Sequence, residues 1–490
     1  MVTSSTIGKT GKSKQAQRVS WIILVGLLLS GCVRYQPRPL SPAQTATELE
    51  GRSLTNSELR EFLQKNLHRD LTEWPARVWD FEMLTLAAFY YNPSLDVARA
   101  EWQVAVGGTQ TAAERPNPTV SATGIYEPIG GGASPWIPGV IFDLPIETFG
   151  KRRHRMEQAQ HLSEAARFNL AVAAWKVRSD LRNSLVDYVT AQKRVDSLQR
   201  QIRLREEMMS RLEQQFHAGA ISAIELNVQR LALAHARADL ADALRLLAEA
   251  RPRLASALGV PTSAMDGASF SFEVVTPPAA EELTTQDARR LALLGRSDIL
   301  SALADYAASQ AALQLAVAKQ YPDVHLTPGY SWNAGGAGEN DWQIGVNLEL
   351  PLLNRHQGAI AEASAQREAS AARFLALQAK VIAEIEQAVA SFRASETNVK
   401  ALEGLASAQE ATQQSVAAEF QAGAVDRLEV LTGEIELNNT QLTRLEAQLK
   451  LHQAFGALED AVQRPLDLPA TLYESPPGKP QAANNRSHDR

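Results

Sequence analysis

The chain has 490 residues, of which 45% are hydrophobic and 21% charged, with a formal net charge of −6 and a mean hydropathy of −0.22. That is the composition of a folded chain, and it offers no basic surface of the kind nucleic-acid binding needs. The single cysteine, Cys32, excludes an intrachain disulfide and a multi-cysteine metal site.

The first segment reads as an address. Lys9, Lys12, Lys14 and Arg18 precede an apolar run, Trp21 to Leu29, which ends in Ser30, Gly31 and Cys32. A basic start, a short apolar core and small residues make a secretory signal, and the run is too short to span a bilayer. Leu29-Ser30-Gly31-Cys32 resembles the bacterial lipobox. The resemblance implies removal of residues 1–31 and lipidation of Cys32, and Val33 in place of an aspartate fits sorting to the outer membrane. Residues 33–48, rich in proline and polar side chains, read as an extended tether. Beyond residue 31 no run of eighteen apolar residues occurs, which leaves a soluble chain, a lipid-anchored chain or a β-barrel.

The remainder repeats itself. A shift of 204 positions lays Pro118 on Pro322, Tyr126 on Tyr330, Tyr188 on Phe392, Val195 on Val399, Phe216 on Phe420 and Gly219 on Gly423. With two residues of slip, Asp143-Leu144-Pro145 falls on Glu349-Leu350-Pro351. We therefore divide the chain into a signal (1–31), a tether and equatorial segment (32–80), two repeats (81–270 and 271–465) and a tail (466–490). Each repeat predicts a helix, two strands, a long helix, a glycine turn and a second helix.

Residues 152–216 contain no proline or glycine, and Tyr188, Val195, Ile202, Met209 and Phe216 recur every seven positions. This is a coiled-coil seam on a helix on the order of 95 Å long. Phe392, Val399, Ala406 and Phe420 keep the same beat in the second repeat, interrupted at Gln413.

The strands are short. Residues 342–350 alternate strictly, with Trp342, Ile344, Val346 and Leu348 on the side expected to face lipid and Gln343, Gly345 and Asn347 opposite. Residues 324–332 supply a partner. Thr119–Glu127 and Ile137–Pro145 form the matching hairpin, with weaker alternation. Glycine-rich loops join both pairs. Four strands cannot close a barrel, so strand edges inside a bilayer would have to be shared among copies; three copies give twelve strands. Lys151, Arg152, Arg153, His154 and Arg155 open the first long helix, and Arg355 and His356 the second. Cations there oppose the helix dipole. Anionic headgroups would justify them; a solvated basic patch is the other reading.

The helix reversals are Phe216-His217-Ala218-Gly219-Ala220-Ile221-Ser222 and Phe420-Gln421-Ala422-Gly423-Ala424-Val425-Asp426, each followed by an acidic-apolar pair. Together with the repeat, hairpins, lipobox and long helices they resemble the TolC-type outer-membrane efflux proteins, over most of residues 82–465. The lipidated, heavy-metal-efflux branch, of the CzcC and CusC kind, is the most similar in texture. The resemblance implies an internally duplicated α+β membrane protein: a mainly helical coiled-coil barrel with a trimeric, twelve-stranded transmembrane β-barrel. It implies a homotrimer in the outer membrane, with tips Gly219, Ala220, Ile221, Ser222, Gly423, Ala424, Val425 and Asp426 docking on a periplasmic membrane-fusion adaptor linked to an inner-membrane RND-type transporter. Relatives often carry an aspartate ring near the tunnel tip; Gln413 and Gln414 occupy that stretch here, and Glu419 is the nearest carboxylate.

Phosphate-binding, zinc-protease, esterase and EF-hand motifs are missing from the sequence. We expect no catalytic residue, cofactor or metal, and read His154 and His161, seven apart, as a surface face. A type I secretion duct and a non-channel periplasmic scaffold remain as alternatives to an efflux channel.

Overall fold

The computed structural model describes residues 35–126, 136–272, 285–332 and 340–463. Cys32 with its signal, the glycine-rich hairpin loops and the tail 466–490 lie outside them. Up to Gly51 the described chain holds one helix, α1 (Pro42–Glu50). The reading of 33–48 as extended throughout is thus corrected: Pro42 starts a helix, where its missing N–H has no partner to lose.

From Arg52 onward come α2 (Ser57–Leu67), β1 (Val78–Trp79), α3 (Phe81–Tyr91), α4 (Pro93–Ala113), β2 (Thr119–Tyr126), β3 (Trp136–Ile146), α5 (Lys151–His217) and α6 (Ala223–Leu258). β4 (Ser269–Phe270) closes the first half, and the second has α7 (Thr285–Gly295), α8 (Ser297–Ala318), β5 (Val324–Trp332), β6 (Asn340–Leu348), α9 (Gln357–Gln421) and α10 (Arg427–Val462). Corresponding helices match in length: 21 and 22 residues for α4 and α8, 67 and 65 for α5 and α9, and 36 each for α6 and α10.

The helices form a row. Along α5, α4 covers the half near the sheet and α6 the half near the reversal; α8 and α10 do the same on its other side, and α9 packs on both of those. The end of α6 is seated on the α3–α4 junction by Gly259, at φ +79°, where a Cβ would come within 2.7 Å of the Tyr91 carbonyl. Asn92 caps α4 through the Ser94 N–H and donates its amide to Ala257 O at 2.9 Å.

One core cluster gathers Trp79, Leu84, Leu95, Leu181, Leu185, Leu254 and Leu258; a second gathers Val381, Ile385, Phe392 and Leu458. Smaller clusters run toward the reversal, around Val195 and Leu198 and then around Met208, Met209 and Leu212. The strict seven-residue seam holds for Val195 and Met209 but drifts off the buried face, leaving Phe216 37% exposed. A 3.6-residue helix slips about 20° per heptad, and α5 serves partners on two sides.

The halves are joined by buried charge. Glu459 of α10 accepts from Arg178 at 3.0 Å and Arg182 at 2.6 Å, and Asp460 from Arg182 at 2.7 Å, Ser179 Oγ at 2.6 Å and Trp175 Nε1 at 2.9 Å. Gly456 leaves room for this: a Cβ there would lie 2.6 Å from Arg182 Nε. Removing one member strands a buried charge. Glu459→Ala should lower stability by about 3–5 kcal/mol in denaturant melts; an unchanged midpoint would show that the network contributes nothing.

Candidate functional site

The sheet is antiparallel in the order β2-β3-β5-β6. Paired residues share a face, and the register runs Val120↔Phe142, then Val140↔Tyr330↔Trp342, Leu144↔Leu326↔Val346 and Ile146↔Val324↔Leu348. One face is therefore apolar across all four strands, and its Val120, Phe142, Trp342, Ile344, Val346 and Leu348 are all exposed. The other carries Thr119, Ser121, Thr123, Asp143, His325, Thr327, Gln343 and Asn347, with His325 Nδ1 2.9 Å from Asp143 Oδ1. The weak alternation of the first hairpin is a sequence effect: Ile137 and Ile141 fall on the polar face and mask the run Val140, Phe142, Leu144, Ile146.

Aromatic pairs mark both ends of the apolar face. Tyr126–Trp136 and Tyr330–Trp342, with ring centroids 5.0 and 4.8 Å apart, stand at the hairpin ends. Phe149 and Tyr321 stack at 4.0 Å at the foot. The 11 residues of β3 span about 33 Å along the strand, or about 25 Å of height at the tilt usual in membrane barrels. The outer edges of β2 and β6 have no strand partner among the described residues.

The basic cluster behind the sheet is neither a headgroup site nor a solvated patch as a whole. Lys151 Nζ binds Asp323 at 2.8 Å and the Tyr321 carbonyl at 2.7 Å. Arg152 donates twice to Ala113 O, at 2.9 and 2.6 Å. Arg155 donates to Ala112 O at 2.9 Å and Glu114 O at 3.0 Å while pairing with Glu147 at 2.6 Å. The cations that start α5 thus complete the carbonyl end of α4, where positive charge is favourable. His154 pairs with Glu157 at 3.0 Å and His161 with Glu164 at 3.7 Å, two separate local contacts.

The two reversals are built alike. Gly219 and Gly423 sit at φ +74° and +75°. Ala220 N–H reaches Gln215 O and Ala424 N–H reaches Glu419 O, both at 2.8 Å, closing each helix in a Schellman motif. Ser222 accepts from Glu225 N at 3.2 Å and Asp426 from Glu429 N at 2.9 Å, so both start the returning helix. Ala220 and Ala424 are exposed; Ile221 and Val425 are half-buried, and Ile221 packs on the Met208–Leu212 cluster. Ile221 is therefore partly structural.

Sequence reading missed Arg427. Its guanidinium grips Glu207 with two bonds, at 2.9 and 3.0 Å, and Glu434 with a third at 3.1 Å, tying α5 to α10 beside the reversals. The only hint was a lone arginine after a capping aspartate. Gln413 extends toward α10, its amide 3.5 Å from Val430 O, over Gly433, so the stretch compared with an aspartate ring holds a packed neutral side chain.

A one-sided apolar sheet carried at the end of helices roughly 100 Å long places the chain among membrane channel subunits that extend away from the bilayer. The chain belongs to the outer membrane efflux protein family, whose profile matches residues 88–260 and 288–462, once in each half. It is 24% identical to the cobalt-zinc-cadmium resistance protein CzcC of Cupriavidus metallidurans, over 66% of this chain and 76% of that protein. It is also 24% identical to the pyoverdine export outer membrane protein OpmQ of Pseudomonas aeruginosa, over 65% and 69%. The fold is shared with the outer-membrane channel OprN (TM-score 0.63, 19% identity, 88% of this chain and 98% of that one). CusC shares it as well (TM-score 0.62, 20% identity, 87% and 98%). The protein is an outer-membrane efflux channel.

The tip ion pair carries a pH signature. The bond from Arg427 holds the Glu207 carboxyl below its ordinary value of 4.5. Its contribution is complete above that value and is lost as pH falls through the depressed one. Amide exchange over residues 420–430 should be slow at pH 7 and faster, relative to the intrinsic rate, at pH 3. Arg427→Gln should remove the difference; equal protection in both proteins at pH 7 would contradict the link.

Proposed function

We propose that three copies assemble into a passive duct, with a twelve-stranded barrel in the outer membrane and the helices forming a periplasmic tunnel. The observation that carries this is the pair of open edges on β2 and β6 beneath a lipid-suited face, because backbone groups in hydrocarbon must be paired. With four strands per chain, three copies supply twelve. The helix row supports the same closure. Its flanks are α4 and α6 on one side and α9 on the other, and exposed Val104, Ile224, Val228 and Leu231 on the first suit Leu375 and Leu405 on the second.

The duplication of the 81–270 and 271–465 units is supported by the two family matches and the paired helix lengths. Cys32 carries the lipid anchor. The tips Gly219–Ser222 and Gly423–Asp426 receive a membrane-fusion adaptor, which couples the duct to an inner-membrane RND-type transporter that supplies the energy; no nucleic acid takes part. Heavy-metal cations are the proposed cargo, on the likeness to a protein named for cobalt, zinc and cadmium resistance.

Position within the barrel is tested by charge. Val346→Arg should destabilise the assembled protein by roughly 2–4 kcal/mol if the site lies near mid-membrane, while Asn347→Arg on the polar face should be far milder. Equal effects would remove the lipid-facing assignment. At the tips, Ala220→Glu with Ala424→Glu should abolish efflux while trimer yield and membrane insertion stay normal. Variants that export normally and still cross-link to the adaptor would reduce the tips to turns. Mass spectrometry of the mature N-terminus should find a diacyl or triacyl Cys32; an unmodified thiol would refute the anchor.

A further inference from the structure

We infer that the foot of the sheet binds anionic phospholipid headgroups, through Arg355 and Lys319 set beside an apolar and aromatic rim. This rests on the membrane reading above and adds a ligand to it. Below the last apolar rung, Ile146↔Val324↔Leu348, the chemistry changes in order. First comes the stacked pair Phe149–Tyr321, 60% and 47% exposed, and then Leu352 and Leu353, 73% and 102% exposed. Such residues are placed at odds with water but suit the zone where acyl chains meet glycerol and headgroups.

The cations follow. Lys151, Arg152 and Arg155 are committed to Asp323, to the carbonyls ending α4 and to Glu147. Arg355 and Lys319 are exposed, and among the described residues neither side chain has a hydrogen-bond or ion-pair partner. Lys319 stands two residues before Tyr321, and Arg355 two after Leu353. The repeat fixes the depth of Arg355. Gly150 and His356 both start their long helices in the left-handed region, at φ +72° and +58°, so Phe149 and Arg355 occupy matching positions one residue earlier. An aromatic in one half and a guanidinium in the other thus lie at the same level of the foot. A phosphate accepts hydrogen bonds from either cation, and near a membrane surface each contributes about fivefold in affinity for anionic lipid.

The test uses the full-length protein in detergent, titrated with phosphatidylglycerol and, separately, phosphatidylcholine, with bound lipids counted by native mass spectrometry. The wild type should retain phosphatidylglycerol in preference. Arg355→Gln with Lys319→Gln should lose roughly fivefold of that binding per cation removed, with phosphatidylcholine unchanged. Leu352→Ser with Leu353→Ser should weaken both lipids together. Undiminished phosphatidylglycerol binding in the double glutamine variant overturns the inference. So does a loss of trimer without a change in lipid preference, which would make these residues contacts between copies. A wild type that fails to insert into phosphatidylcholine vesicles refutes the membrane reading itself, an outcome distinct from either.

Discussion

Everything above the helices depends on the impossibility of leaving a strand edge unpaired in hydrocarbon. Each free N–H or C=O there costs several kcal/mol. Among the described residues the sheet nevertheless ends at β2 and β6 with both edges open, and one of its faces is apolar and exposed. A single copy in a bilayer is thereby penalised, and association is built into the backbone before any side chain is considered. The two-part layout suits such association, because a unit of two strands and three helices that packs on its counterpart within the chain offers similar faces outward.

The long helices must then hold to one another with little core per turn. They do so with a few concentrated interactions. Glu459 and Asp460 tie α10 to Arg178 and Arg182 midway along α5, and Arg427 ties the same two helices through Glu207 beside the reversals. The two ties differ in environment. The first is buried, so its loss leaves a charge without water. The second is only half-buried, so water can partly take over from either partner.

Much of this was legible in the sequence, and the limits are physical. Trp342, Ile344, Val346 and Leu348 announced their face because every intervening residue is polar or glycine. Val140, Phe142, Leu144 and Ile146 did not, because Ile137 and Ile141 blur the period from the polar side. The glycine turns were visible, since Gly219 and Gly423 end uninterrupted helical runs. The cluster Lys151–Arg155 misled: its partners are carbonyls and carboxylates of α4 and of the strand ends, brought near only by tertiary folding. Long-range ion pairs such as Arg427 with Glu207 have no local pattern at all. Heptads overstated the order of the seam, because α5 serves neighbours on two sides and not one.

Closure between chains can be measured directly. Within one chain Ile141 of β3 pairs with Gly329 of β5. Carrying β3 onto β6 by 206 positions and β5 onto β2 by 204 sets Asn347 of one copy opposite Ile125 of the next. Cys32 is the only native cysteine, so Asn347→Cys with Ile125→Cys introduces a defined pair. Mild oxidation in membranes should give a covalent trimer on denaturing gels, and neither single variant should. Monomer from the double variant under the same oxidation, with both thiols still free, would contradict a barrel shared between chains.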